Sequence, residues 1–137
     1  MRLLILVLIA SISFNCSGLK KTNANSNLLD GVWIPVKQEM AGRPMPPAYF
    51  EKQKLVLADS TYTLTAESID KGIATYGNGK MDIYGKEGVN TGKHFTAIYT
   101  LENGLLSICY NLKGDTYPET FDTKGKPLFF LSVFKKE

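Results

Sequence analysis

The chain has 137 residues, sixteen basic and thirteen acidic side chains and a net charge of +3 at pH 7, one domain's worth of material. Its charges are spread along the whole sequence, which excludes a dedicated nucleic-acid binder with Lys and Arg gathered on one face. A 44% hydrophobic and 21% charged composition excludes a disordered chain, and two cysteines cannot make a disulfide scaffold.

Met1 and Arg2 precede an apolar run from Leu3 to Ile12. Such a run makes about 15 Å of helix, half of a hydrocarbon core, too short to span a membrane but suited to the h-region of a secretory signal. Residues 1–15 therefore read as a signal helix. Behind it, Ser13-Phe14-Asn15-Cys16 resembles the lipobox of bacterial lipoproteins, although that family prefers Leu where Ser13 stands and a small residue where Asn15 stands. The resemblance implies cleavage before Cys16, acylation of its thiol, and a partner in the membrane of the cell envelope. The rival is cleavage at the small pair Ser11 and Ser13, giving a soluble secreted or periplasmic protein. Residues 16–27 are polar, without hydrophobic period, and read as a flexible tether. With Cys16 acylated, Cys109 has no partner and reads as a small buried hydrophobe.

From residue 28 to residue 137 the pattern has period two. Val32, Ile34 and Val36 alternate with Trp33, Pro35 and Lys37. Met40 to Phe50 breaks the rhythm, because Pro44, Pro46 and Pro47 remove three ladder donors within four residues. It reads as a loop over one end of the domain, with a helical turn near Tyr49 to Gln53. Leu55 and Leu57, then Tyr62 and Leu64, mark two strands around the Asp59-Ser60 turn. Ile69 and Ile73 precede Gly77-Asn78-Gly79, a hairpin signal because Asn and Gly accept positive φ. Met81 and Ile83 follow, then a loop from Gly85 to Gly92. Phe95, Ala97, Tyr99 and Leu101 oppose Thr96, Ile98 and Thr100. Glu102-Asn103-Gly104 turns into Leu105 to Tyr110, and Leu128 to Phe134 closes the chain.

Eight strands joined mainly by short turns pair most simply as antiparallel neighbours. An all-β, eight-stranded up-and-down barrel is the expected architecture, with a two-sheet sandwich as competitor. Gly31-Val32-Trp33 resembles the Gly-x-Trp opening of lipocalins and related calycin barrels, whose Trp packs across the closed barrel end. More specifically, the folded region resembles a bacterial lipocalin-like domain family of unknown function, known from planctomycete genomes. The matching elements are Leu29 to Trp33, Ala97-Ile98-Tyr99, Leu106 to Tyr110, Pro118-Glu119-Thr120-Phe121 and the final strand to Lys135. That family usually has Arg where this chain has Tyr117. The resemblance implies fold and leaves activity open.

Chemistry-bearing residues are sparse. His94 is the single histidine, so a metal site with two His ligands within one chain is excluded. Gly88 to His94 lacks the spacing of a phosphate loop: Glu87 and His94 stand where that motif needs Gly and Ser or Thr. The acidic residues show no calcium-loop or paired-carboxylate spacing. No cofactor, metal or catalytic residue is expected. Aromatics are the remainder, and they either fill the core or line a cavity. The candidate ligand-binding residues are Met45, Tyr49, Phe50, Tyr62, Phe95 and Tyr99. Two functions follow: an envelope-anchored barrel holding a small apolar or amphipathic ligand, or a filled, non-enzymatic barrel contacting an envelope protein.

Overall fold

A computed structural model describes residues 28–137. The signal segment, Cys16 and the tether lie outside the described residues. The strands are β1 (Gly31–Met40), β2 (Arg43–Pro44), β3 (Lys54–Ala58), β4 (Thr61–Thr65), β5 (Ile69–Gly77), β6 (Lys80–Glu87), β7 (His94–Glu102), β8 (Leu105–Asn111) and β9 (Phe129–Lys136). Each of β3 to β8 pairs antiparallel with the next, and β1 pairs with both β3 and β9. An eight-stranded up-and-down barrel closes, and β2 is an added edge ribbon on β1. Closure leaves none of the eight barrel strands as a free edge.

The two ends differ because their connections differ. At one end β3–β4, β5–β6 and β7–β8 are joined by two-residue turns at Asp59-Ser60, Asn78-Gly79 and Asn103-Gly104, all with positive φ. Such turns match the twist of the flanking strands, and Asn-Gly adopts them at little cost. Leu29 and Trp33, 0% and 1% exposed, seal this end, and the Trp33 indole N–H donates to the Leu29 carbonyl at 2.8 Å. At the other end sit the longer connections between β1 and β3, β6 and β7, and β8 and β9.

The alternation in β1 slips once. Trp33 and Pro35 face inward, a bulge at Val36 sets two consecutive exposed residues, and Gln38 then faces inward. The extra residue bends the strand and shifts the inward parity. Ile34 and Val36, on the face opposite Trp33 and Pro35, lie outside the core, Val36 44% exposed. The core consists of Leu29, Trp33, Leu55, Leu57, Tyr62, Ala74, Met81, Ile83, Ala97, Leu106, Ile108 and Phe134.

Residues 112–128, between β8 and β9, fold back over the outside of the wall. Thr96 Oγ1 and Asn111 Nδ2 both donate to the Thr116 carbonyl, the Tyr117 hydroxyl to Asp82, and the Thr123 hydroxyl to Glu39. This strap explains why outward residues Thr96, Cys109, Asn111 and Leu131 are buried. Cys109 is a free, fully buried thiol, and burial pushes it up to about 11. It packs as a small hydrophobe.

Candidate functional site

The barrel interior is not filled to its open end. A cavity of about 150 Å³ lies inside it, lined by apolar side chains from seven of the eight barrel strands, among them Leu57, Met81, Ile83, Phe95, Ile108 and Phe134. That volume matches a cavity able to hold one benzene ring, and is below the roughly 300–1,000 Å³ of sites for drug-sized ligands.

Two polar groups bracket the mouth. On the β1 and β9 side, Gln38 Nε2 donates to Gln53 Oε1 at 2.8 Å and to Ser132 Oγ at 3.2 Å. Gln38 is 3% exposed, and its Oε1 accepts from no described residue. On the β4 and β5 side, the buried Asp70 carboxylate accepts from the Tyr62 hydroxyl at 3.0 Å, the Asn90 side-chain amide at 2.8 Å and the Asn90 backbone N–H at 3.2 Å. Burial, reinforced by the Asp70 hydrogen bond and charge, pushes the Tyr62 phenol well above its ordinary value. Gly72 makes the arrangement possible, since a Cβ there would meet Tyr62 Cε1 at 2.8 Å and the Tyr84 carbonyl oxygen at 2.0 Å.

Tyr110, on the strand diametrically across from Tyr62, also lines the cavity and stacks on Phe130 with centroids 5.7 Å apart. Its hydroxyl has no hydrogen-bond partner among the described residues, and burial raises its pKa well above the ordinary phenol range. The cavity thus presents the Tyr110 hydroxyl as an unengaged donor and Gln38 Oε1 as an unengaged acceptor. No Lys, Arg or His lines it.

Of the six residues expected from sequence to bind ligand, Tyr62 and Phe95 line this cavity. Tyr99 does not: it lies toward the closed end, edge-on to Tyr76 with centroids 5.7 Å apart. Met45 and Tyr49 border a separate shallow surface groove with Met40, Arg43 and Pro44, and Tyr49 is 66% exposed. Phe50 is buried but lines neither space. The helical turn is a 3₁₀ turn at Pro47–Tyr49, slightly earlier than expected.

The proline-rich segment is tied down. Ala41 N–H donates to the Phe129 carbonyl, Gly42 N–H to Thr123 Oγ1, Met45 N–H to the Gln38 carbonyl, and Tyr49 and Phe50 N–H to the carbonyls of Pro46 and Pro47. Those anchors make it a rim fixture beside the mouth. Gln38, Gln53, Asp70, Asn90 and Ser132 carry no local sequence signal of a site. Their partners are 8 to 94 residues apart, so only strand register brings them together.

A second constellation sits on the outer wall. His94 Nε2 is 2.7 Å from Asp82 Oδ1, the Tyr117 hydroxyl donates to Asp82 Oδ2 at 2.5 Å, and the imidazole stacks on Tyr84 at 4.4 Å. The carboxylate orients the imidazole as a base–orienter pair requires. No hydroxyl or thiol among the described residues hydrogen-bonds to the imidazole, so the pair lacks a nucleophile of the chain's own. The Tyr117 hydroxyl on Asp82 pins the strap to β6, and His94 joins Asp82 from the neighbouring β7.

The chain matches no protein-family model, no curated protein and no solved structure.

Proposed function

We propose that the protein is a small-molecule binding module of the cell envelope, its barrel holding one small apolar or amphipathic molecule at the open end. The observation that carries this reading is the 150 Å³ cavity, apolar in its walls, with the Tyr110 hydroxyl and the Gln38 side-chain oxygen Oε1 unengaged at its polar side. Sites of this kind combine an apolar body with a few convergent polar groups that orient the ligand. The envelope address rests on the sequence, on the h-region and the lipobox-like residues before Cys16, with acylated Cys16 as the membrane anchor. The reading includes no catalytic step and no cofactor.

Titration of the protein with a panel of small apolar and aromatic compounds, followed by methyl NMR, tests it. Saturable shifts at Met81, Ile83 and Leu57 are expected. Trp33 seals the far end and does not line the cavity, so its fluorescence is the wrong reporter. Absence of saturable shifts across the panel refutes the reading.

A second reading has its own observation. Tyr49, Val89 and Ile69 are 66%, 70% and 55% exposed, and all three lie on connections or strand ends at the open rim. Exposed apolar side chains on one rim suit contact with another envelope protein. Crosslinking in intact cells from a probe at position 49 or 89 tests this, and recovery of no partner counts against it.

A further inference from the structure

We infer that the cavity selects an uncharged, single-ring aromatic compound bearing a hydroxyl group, a phenol-type ligand. The inference rests on the binding reading above and adds the chemical class. Three observations lead to it.

Size comes first. A void of about 150 Å³ is the volume at which an engineered apolar cavity accepts benzene, so one six-membered ring fills it and a long acyl chain does not. The walls fit a ring: Phe95, Phe130 and Phe134 supply aromatic surfaces, and Leu57, Met81 and Ile108 aliphatic ones.

Charge comes second. The single carboxyl group in the lining is Asp70, 4% exposed and engaged by the Tyr62 hydroxyl and twice by Asn90. With no cation in the lining, a ligand carboxylate entering the cavity loses its hydration without a counter-charge, beside an existing carboxylate. Burying an unpaired charge in that way is prohibitive. Fatty acids and aromatic acids are thereby rejected, and so is a phenolate.

Hydrogen bonding comes third. The Tyr110 hydroxyl has no protein acceptor, and Gln38 Oε1 has no protein donor. A hydroxyl group is the smallest neutral function that both donates and accepts, so it answers either group or both. A bare hydrocarbon ring leaves them unanswered, and leaving a buried polar group unpaired is costlier than the mean strength of a hydrogen bond suggests.

The experiment compares phenol, benzene and benzoate by methyl NMR titration on the full chain, with Tyr110→Phe and Gln38→Met as variants. Phenol is expected to bind about tenfold tighter than benzene, the equivalent of one good hydrogen bond, and benzoate to show no saturable binding. In Tyr110→Phe, a change that retains the ring stacked on Phe130, the phenol-to-benzene ratio should fall severalfold. Gln38→Met should lower the same ratio by the other contact. Equal affinity for phenol and benzene, or a ratio that survives both substitutions, overturns the class and leaves the binding reading standing. Benzoate binding as tightly as phenol overturns the charge argument and with it the class. If none of the three saturates the cavity methyls, the binding reading itself falls.

Discussion

Replacing Trp33 removes the plug of the closed barrel end, and its cost can be worked from the contacts. The side chain is 1% exposed, packs beneath the fully buried Leu29, and carries Lys136 Nζ 5.4 Å from its ring centroid. Trp33→Ala leaves a large apolar void, worth about 3–5 kcal/mol for aromatic truncations in cores. It also strips the Leu29 carbonyl of its donor, a further ~1 kcal/mol or more. A domain of this size has only about 5–15 kcal/mol in hand, so Trp33→Ala consumes a large share of it. Trp33→Phe separates the two contributions: it keeps most of the apolar bulk and loses the indole N–H, with an expected cost of about 1–3 kcal/mol. Urea unfolding reads both variants. With a slope of about 1–3 kcal/mol per molar, the alanine midpoint should fall by roughly 1 M or more. A loss under about 1 kcal/mol for Trp33→Ala, the size of an ordinary substitution, refutes the seal.

Other expectations follow from the same contacts. Asp70→Ala orphans the Tyr62 hydroxyl and both Asn90 donors, and should cost about 2–4 kcal/mol, with faster amide exchange at Asn90; unchanged exchange there contradicts its anchoring role. Asp82→Ala frees Tyr117 from β6, so limited proteolysis should cut within residues 112–128, and resistance equal to wild type refutes the clamp. Burial raises the pKa values of Tyr62 and Tyr110, so their contribution to stability is complete below about pH 10, the ordinary phenol value, and is lost as pH rises from there through their folded values. Alkaline spectrophotometric titration should find fewer phenolates in the native chain than in urea at about pH 11, and identical curves contradict the burial. Cys16→Ser should abolish fatty-acid labelling and membrane association in fractionated cells; a variant that still labels and pellets places the anchor elsewhere.

Architecture was legible because each barrel strand carries its own period-two signal and each closed-end turn its own residue chemistry. Phe95, Ala97, Tyr99 and Leu101 announce one face of β7, and Asn78-Gly79 and Asn103-Gly104 announce tight hairpins. The β1 bulge was not legible. Trp33 and Pro35 face inward, so strict alternation would put Lys37 inside, yet the pairing with β9 adds one residue at Val36 and turns Gln38 into the barrel instead. Site residues suffered a related loss. Tyr99 shares a face with Phe95, but depth along the barrel decides which of the two reaches the cavity, and depth follows from register. The Asp70, Tyr62 and Asn90 network, and the Gln38, Gln53 and Ser132 network, consist of residue types that usually face water. Their burial follows from closure of the sheet, which no local window contains.

Xenon binding in a crystal of the protein tests the central claim most directly, because it asks whether the barrel holds an accessible apolar void irrespective of ligand identity. A cavity of about 150 Å³ with apolar walls accepts xenon. One xenon site is expected among Leu57, Met81, Ile83, Ile108 and Phe134, at the inner end of the space bracketed by Gln38 and Asp70. A pressurised crystal with no xenon inside the barrel, and side chains closed over that volume, would contradict the binding account.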